Sequence, residues 1–338
     1  MLKRGLRLSE IGLGGAPLGN LYRALDDDQA RLTCRAALEA GISYFDTAPF
    51  YGFGLSERRL GDALRGHPAY AVSTKVGRLL KPDPSIMDAS PRQGYVSSMP
   101  FAAVFDYTYD GVLNSWEASL QRLGLASIDV LYVHDIGAHT HGPMSEHFFS
   151  QLTAGGGFRA LAELRSAGAI KAFGLGVNEI EVCRRAMDHA DLDLVLLAGR
   201  YTLLEQPALD HLLPECQRRQ ISLVIGGPYN SGILATGTRH GGPLYYDYGP
   251  APPAVIDRVR RLESCCATFG IALAAAALQF PLAHPSVASV IPGLVSAAQI
   301  GETRALYATP IPVEFWSALK SQGLLRPDAP CPGAAAGA

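Results

Sequence analysis

Along this chain, short runs of β-branched and other apolar residues alternate with longer stretches whose apolar positions recur at helical spacing. The short runs are Ile11–Leu13, Ile42–Asp46, Tyr70–Lys75, Ile128–His134, Ala172–Val177, Leu192–Leu197, Ser222–Gly226 and Val287–Ile291. They are brief and largely apolar on both faces, as strands covered on both sides must be. Between them, Leu113, Trp116, Leu120 and Leu123 form one helical stripe with Asp110 as N-cap. Val255, Val259, Leu262, Cys266 and Phe269 form another, with Pro253 in its first turn. Val182, Ala186 and Ala190 mark a third, and Gly168 after Leu161 and Leu164 reads as a helix stop. Eight strand–helix units in succession predict an α/β fold, a closed (β/α)8 (TIM) barrel rather than an open sheet. Leu2–Leu8, turning at Gly5, predicts a short N-terminal β-hairpin across the barrel bottom. Residues 1–325 are expected to form one domain, and 326–338, rich in Pro and Ala, a flexible tail.

Composition narrows the function classes. The chain has 338 residues, 48% of them hydrophobic, enough for a large core without staples. Only 18% are charged and the net charge is −2, so neither a nucleic-acid stripe nor a polybasic membrane patch is expected. A small-molecule ligand fits that balance. No window is apolar for long enough to span a membrane, and Met1–Leu6 lacks the features of a secretory signal. The six cysteines (34, 183, 216, 265, 266 and 331) lack metal-ligand spacing, and the cytoplasm is the expected location. The oligomeric state is left open.

In a barrel, chemistry collects where strands end. The second strand runs into Asp46-Thr47-Ala48-Pro49-Phe50-Tyr51-Gly52, the third ends in Ser73-Thr74-Lys75 and the fourth in His134-Asp135. Consecutive barrel strands are neighbours, so Asp46, Lys75 and His134 converge with Tyr51 reaching in from a loop. A free tyrosine ionises near pH 10. An adjacent ammonium is expected to pull that value down, with the aspartate holding the lysine in place. A neutral histidine orients a substrate oxygen. Taken singly, each residue has a plain structural use as ion pair, packing ring or core histidine. Other readings of the set are a Schiff-base barrel built on Lys75 and a non-catalytic subunit that senses a cofactor.

Asp46–Gly52, Ser56-Glu57, Leu60-Gly61, Ser73-Thr74-Lys75, Arg122-Leu123-Gly124, Asp129–His134, Gly174–Asn178 and Ile291-Pro292-Gly293 together resemble the aldo-keto reductase family over nearly the whole chain. The resemblance implies a nicotinamide-dependent oxidoreductase with Tyr51 as general acid/base, Lys75 and Asp46 tuning it, and His134 orienting the substrate. Val76–Leu80, the insertion after it, Phe105-Asp106-Tyr107, His134-Asp135 and Leu197–Leu204 resemble a narrower branch of that family. Its members oxidise D-threo-aldoses such as L-fucose to lactones, and a close relative oxidises pyridoxal to its lactone. The substrate implied is thus an aldose hemiacetal; pyridoxal, or a general aldehyde or ketone, is the alternative.

Gly12-Leu13-Gly14-Gly15 and Gly19 superficially suggest a dinucleotide fingerprint, which Pro17 and the absence of an immediate helix argue against. The resemblance makes Gly14, Gly15 and Ala16 a turn beside the cofactor, counts Asp46 among the cofactor contacts as well, and gives Asn178 to the nicotinamide amide. It places the rest of the cofactor along Gly226, Pro228, Tyr229, Asn230, Gly232 and Leu234, and along Pro292, Gly293, Leu294, Gln299 and Glu302. Ser296 and Gln299 also suit a capping box. The chain departs from the family at Gly226, where a stacking tyrosine is usual, and at Ala198, where a glutamine is usual; Tyr201 or Tyr229 is expected to substitute. Gly293 and Gln299 stand where NADP-dependent relatives carry cations, so NAD is expected, with NADP the alternative.

The long connection Lys81–Tyr109 offers Phe101, Phe105, Tyr107 and Tyr109 as aromatic faces and Asp106 and Asp110 as acceptors for a hydroxylated ring. His139, His141 and His147 invite a metal reading, but hydride chemistry requires no metal and none is expected.

Overall fold

The computed structural model of the chain describes residues 5–87, 89–239 and 241–333. The apolar runs form β1 (Leu13–Gly14), β2 (Tyr44–Asp46), β3 (Ala71–Val76), β4 (Val130–His134), β5 (Ala172–Val177), β6 (Leu194–Ala198), β7 (Ser222–Gly226) and β8 (Val287–Ile291). They pair in sequence order and in parallel as one eight-stranded sheet. The Gly12 amide donates to Val290 O at 2.9 Å and the Gly14 amide to Pro292 O at 3.0 Å, which closes the sheet into a barrel.

Two apolar layers hold it. Inside, Leu6, Tyr44, Ala71, Val130, Ala172, Leu194 and Val224 pack at the N-terminal mouth. Leu6 therefore plugs the bottom, but Leu6–Ser9 carries no strand; the remainder of the expected hairpin lies outside the described residues. Outside, the sheet meets a ring of helices that includes Asp27–Glu39, Leu55–Leu64, Tyr109–Leu123, Gly157–Ser166 and Pro253–Phe269. Thr108, not Asp110, caps Tyr109–Leu123: its side chain accepts from the Gly111 amide, and Asp110 sits in the first turn. The six cysteines are buried free thiols, Cys265 and Cys266 both included.

Several motif residues are structural ties. Glu57 is fully buried and accepts from Thr74 Oγ1 at 2.6 Å and Arg122 Nε at 2.5 Å, joining helix to strand to helix. The segment after Leu325, expected as a flexible tail, is packed as far as Cys331. Ala329 and Cys331 are buried, Lys320 donates to Pro327 O at 2.9 Å, and Arg326 pairs with Asp210 and Asp328. Among the described residues no single helix is long and apolar enough to cross a membrane.

Gly61 allows the close approach of two outer helices, because a Cβ there would lie 1.7 Å from Leu123 O. Gly61→Ala is expected to destabilise the fold by about 2–3 kcal/mol, an overpacking cost read as a lowered thermal midpoint.

Candidate active site

The expected convergence at the strand ends is present. Lys75 Nζ lies 2.6 Å from Asp46 Oδ2 and donates to Thr47 O at 2.9 Å, with both side chains only 2% exposed. Asp46 Oδ1 accepts from Ser73 Oγ at 2.6 Å. Behind them Ser73 Oγ meets Tyr44 OH at 2.9 Å, and Tyr44 OH meets Tyr132 OH at 3.1 Å. A polar chain thus rises through the barrel interior to the ion pair. A buried carboxylate needs this satisfaction, since desolvation otherwise favours its neutral form. Burial pushes Asp46 upward, and Lys75 and Ser73 pull against it.

Tyr51 reaches this pair because two loops nest at glycine. A Cβ on Gly19 would lie 2.5 Å from the Tyr51 carbonyl carbon, and one on Gly52 (φ +65) 2.4 Å from Gly19 O. Lys75 Nζ sits 4.6 Å from the Tyr51 ring centroid, and the His134 ring stands edge-on to it at 5.9 Å. One sequence expectation is reversed here. The Tyr51 phenol is raised well above its ordinary value rather than lowered. Burial is the main cause, followed by the charge of Asp46, then Tyr95, Tyr248 and Asp135. Asp46 compensates the ammonium that was expected to pull the phenol down.

His134 is pushed well below its ordinary value of 6.5 by burial, then by Arg78 and Lys75, so its ring is neutral. Its Nδ1 is buried without a hydrogen-bond partner among the described residues, and Nε2 lies 3.4 Å from Asp135 Oδ2. Tyr107, expected as a substrate face, is buried and donates to His134 O at 2.7 Å, holding that strand end. His141 bonds Tyr107 OH at 3.0 Å, while His147 Nε2 lies 3.2 Å from Gln151 Nε2.

Asp46, Tyr51, Lys75 and His134 line a cleft of about 560 Å³ together with Gly14, Gly15, Ala16, Asn178, Gly226, Pro228, Tyr229, Asn230, Gly232 and Gly293. Asn178 Oδ1 is buried in its wall without a partner among the described residues, as a residue awaiting an amide donor would be. The cleft accordingly fits a nicotinamide. Six expected cofactor residues do not line it. Tyr201 is fully buried against Phe280 and His284, so it offers no stacking platform. Leu234 and Leu294 are core residues. Pro292 contributes its carbonyl to barrel closure, and Gln299 accepts from the Val295 amide at 2.9 Å while Ser296 caps the helix. Glu302 is exposed, and its charge bears on Tyr229.

The aromatic lining differs from expectation too. Phe101, Phe105 and Tyr109 do not reach the cleft. Phe101 and Phe105 belong to a hairpin of Arg78–Pro82 with Phe101–Phe105, and Tyr109 OH donates to Glu163 at 2.6 Å. Asp106 spends its carboxylate on Thr108, and Asp110 on no site contact. Phe50, Tyr22, Tyr95 and Tyr248 line it instead. Tyr95 is held by a loop that Arg92 pins through Ser98 Oγ, Met99 O and Phe101 O. Only Phe50, adjacent to Tyr51, had a signal in the sequence.

A (β/α)8 barrel with this ion pair under a tyrosine, a neutral histidine beside it and a nicotinamide-sized cleft defines an NAD(P)-dependent oxidoreductase. The chain belongs to the Aldo/keto reductase family, whose model matches residues 10–323. It is 47% identical to pyridoxal 4-dehydrogenase of Microbacterium luteolum over 96% of both chains. It is 39% identical to D-threo-aldose 1-dehydrogenase of a Pseudomonas species over 95% of this chain and 96% of the relative. Among solved structures, the holo form of aldo-keto reductase AKR11C1 from Bacillus halodurans superposes with a TM-score of 0.74 at 25% identity, covering 96% of this chain and 95% of that one.

The neutral His134 gives a pH expectation. Because its folded value is lowered, the stability tied to the uncharged ring is complete above 6.5 and is lost as pH falls through the lowered folded value. Its ring proton shifts, assigned by comparison with His134→Gln, should stay flat between about pH 6 and 8 in NMR titrations, where an unperturbed histidine would titrate.

Proposed function

We propose that this protein is an NAD-dependent dehydrogenase that oxidises the hemiacetal carbon of a cyclic substrate to a lactone. The observation that carries the reading is the buried Lys75–Asp46 pair beneath Tyr51, with His134 edge-on to the same ring. Tyr51 and His134 are proposed to hold the hemiacetal hydroxyl between them. Tyr51 takes its proton as the carbon–oxygen bond becomes a carbonyl, and the proton passes on to solvent. An oxidised nicotinamide held in this cleft would supply the hydride acceptor for the same carbon and a positive charge that favours the phenolate. Lys75 stabilises that phenolate, and Asp46 keeps Lys75 charged and aimed. Asn178 would hold the carboxamide, and Gly226–Gly232 would cradle the pyrophosphate.

NAD is proposed over NADP because residues 292–303 contain no Lys or Arg, while Glu302 adds negative charge there. Gln299 is engaged in the helix cap, and Arg304 reaches away to Ala40 O. Pyridoxal is placed ahead of an aldose, on the greater similarity to the pyridoxal-oxidising relative and on the aromatic rings at the mouth. An aldose is the second reading, favoured by the Asp135 carboxylate as a hydroxyl acceptor and by the aldose-oxidising relative.

With NAD, pyridoxal should give its lactone with reduced cofactor formed in equal amount; turnover of L-fucose alone would favour the aldose. The kcat/KM for NAD should exceed that for NADP, and the opposite preference would refute the cofactor assignment. Tyr51→Phe should lower kcat by about 10²–10⁴-fold, the usual worth of a general acid/base. NADH affinity, read by fluorescence titration, should be unchanged; full turnover in that variant would refute the role of the phenol.

A further inference from the structure

Backbone strain is concentrated at this cleft. Most of the described non-glycine residues with left-handed φ line it, among them Asp135 and two tyrosines, Tyr22 and Tyr248, bulky residues that rarely adopt that conformation. Tyr248 has φ +65 and Asp135 has φ +47.

Tyr248 sits at the tip of an antiparallel hairpin, Tyr245–Tyr246 with Gly249–Pro250. Its two-residue loop, Asp247-Tyr248, has positive φ at both positions, a geometry that favours glycine or asparagine. The tip is tied down from both sides. Arg200 grips Asp247 through contacts of 3.0–3.1 Å, and the Tyr248 amide donates to Ser231 Oγ at 2.9 Å. Tyr245 at the hairpin's start stacks on Tyr22 of the opposite rim, centroids 6.5 Å apart. The hairpin thereby places Tyr248, exposed at the rim, in the lining of the same cleft as Tyr51 and Tyr95.

Asp135 follows His134 directly. Its Oδ2 accepts from Arg78 Nη2 at 2.5 Å, and the Arg78 guanidinium is fixed over Phe50 (4.1 Å) and Phe105 (5.3 Å). Among the described residues no hydrogen bond reaches Oδ1. The carboxylate therefore has one oxygen anchored and one available in the cleft, beside the histidine that faces the reacting atom.

We infer that Tyr248 and Asp135 are the specificity residues, together selecting a planar heteroaromatic ring that carries an N–H or O–H donor on its edge. The ring lies against Tyr248 and the neighbouring aromatic side chains, and the donor meets Asp135 Oδ1. A saturated polyol would satisfy the carboxylate and waste the aromatic faces; a plain benzene ring would do the reverse. This assignment rests on the proposed reading of the cleft as a hemiacetal-oxidising site.

The test is calorimetry on NADH-loaded protein with pyridoxine, which has the pyridoxal ring and cannot form a Schiff base, alongside pyridoxal kinetics with NAD. Tyr248→Gly relieves the strained φ, so its thermal midpoint should rise while pyridoxine affinity falls about tenfold, the scale of one lost ring contact. Asp135→Asn keeps the volume and should also weaken pyridoxine about tenfold, with NADH affinity unchanged and pyridoxal KM rising more than kcat falls. Pyridoxine binding that weakens in both variants without pyridoxal turnover would uphold the pair and refute the proposed reaction. Pyridoxal turnover with affinity and KM within about twofold of the parent in both variants would overturn the pair alone. No pyridoxine binding to the parent protein would overturn the assigned ligand class.

Discussion

An ammonium and a carboxylate 2.6 Å apart, almost without water to share, set the terms for the rest of this barrel. Two charges are removed from solvent there, and removing either partner of such a pair typically costs about 3–5 kcal/mol. The interior is built to prevent that outcome. Ser73, Tyr44 and Tyr132 replace hydrating water with a fixed hydrogen-bonded chain, and Thr47 O takes another Lys75 proton. The pair also governs its neighbours. Lys75 helps keep His134 uncharged, while Asp46 raises the Tyr51 phenol that Lys75 alone would lower. The cleft thus holds a protonated phenol beside a neutral imidazole, and the phenol must lose its proton before it can act as a base.

The scaffold beneath the strand ends was legible in the sequence because its signal is local and repetitive. Every apolar run became a barrel strand, and reading the strand ends in order brought Asp46, Lys75 and His134 together. Errors arose where a residue's place depends on distant parts of the chain. Tyr201 looked like a nicotinamide platform, yet Phe280 and His284, far along the chain, enclose it. Thr108 caps the helix assigned to Asp110 because both residue types serve that purpose and only φ and ψ separate them.

The substrate side was the least readable. Within Lys81–Tyr109 the aromatic residues at 101, 105, 107 and 109 drew attention, but a hairpin takes up Phe101 and Phe105, Tyr107 is buried beneath the strand end, Tyr109 starts a helix, and Tyr95, between Gly94 and Val96, turns in. No periodicity marks Tyr95. Its position follows from Arg92 crosslinking the loop to itself. Tyr248 had still less signal, since a left-handed tyrosine is a conformation that sequence preferences argue against. The phenol of Tyr51 shows the same limit in electrostatics. The sign of its shift depends on how completely Asp46 compensates Lys75 and how dry the site is, neither of which residue identities express.

The backbone-to-backbone contact of Gly19 with Gly52 has an evolutionary corollary. The turn that carries Gly14 and Gly15 and the turn that carries Tyr51 interlock without a side chain between them, so neither drifts while the other stays. Change in what such a barrel accepts is then channelled to the far rim, where hairpin tips such as Asp247-Tyr248 are attached by a few ionic and hydroxyl ties. Lineages of this architecture would be expected to diverge there first, keeping one reaction while exchanging its reactants.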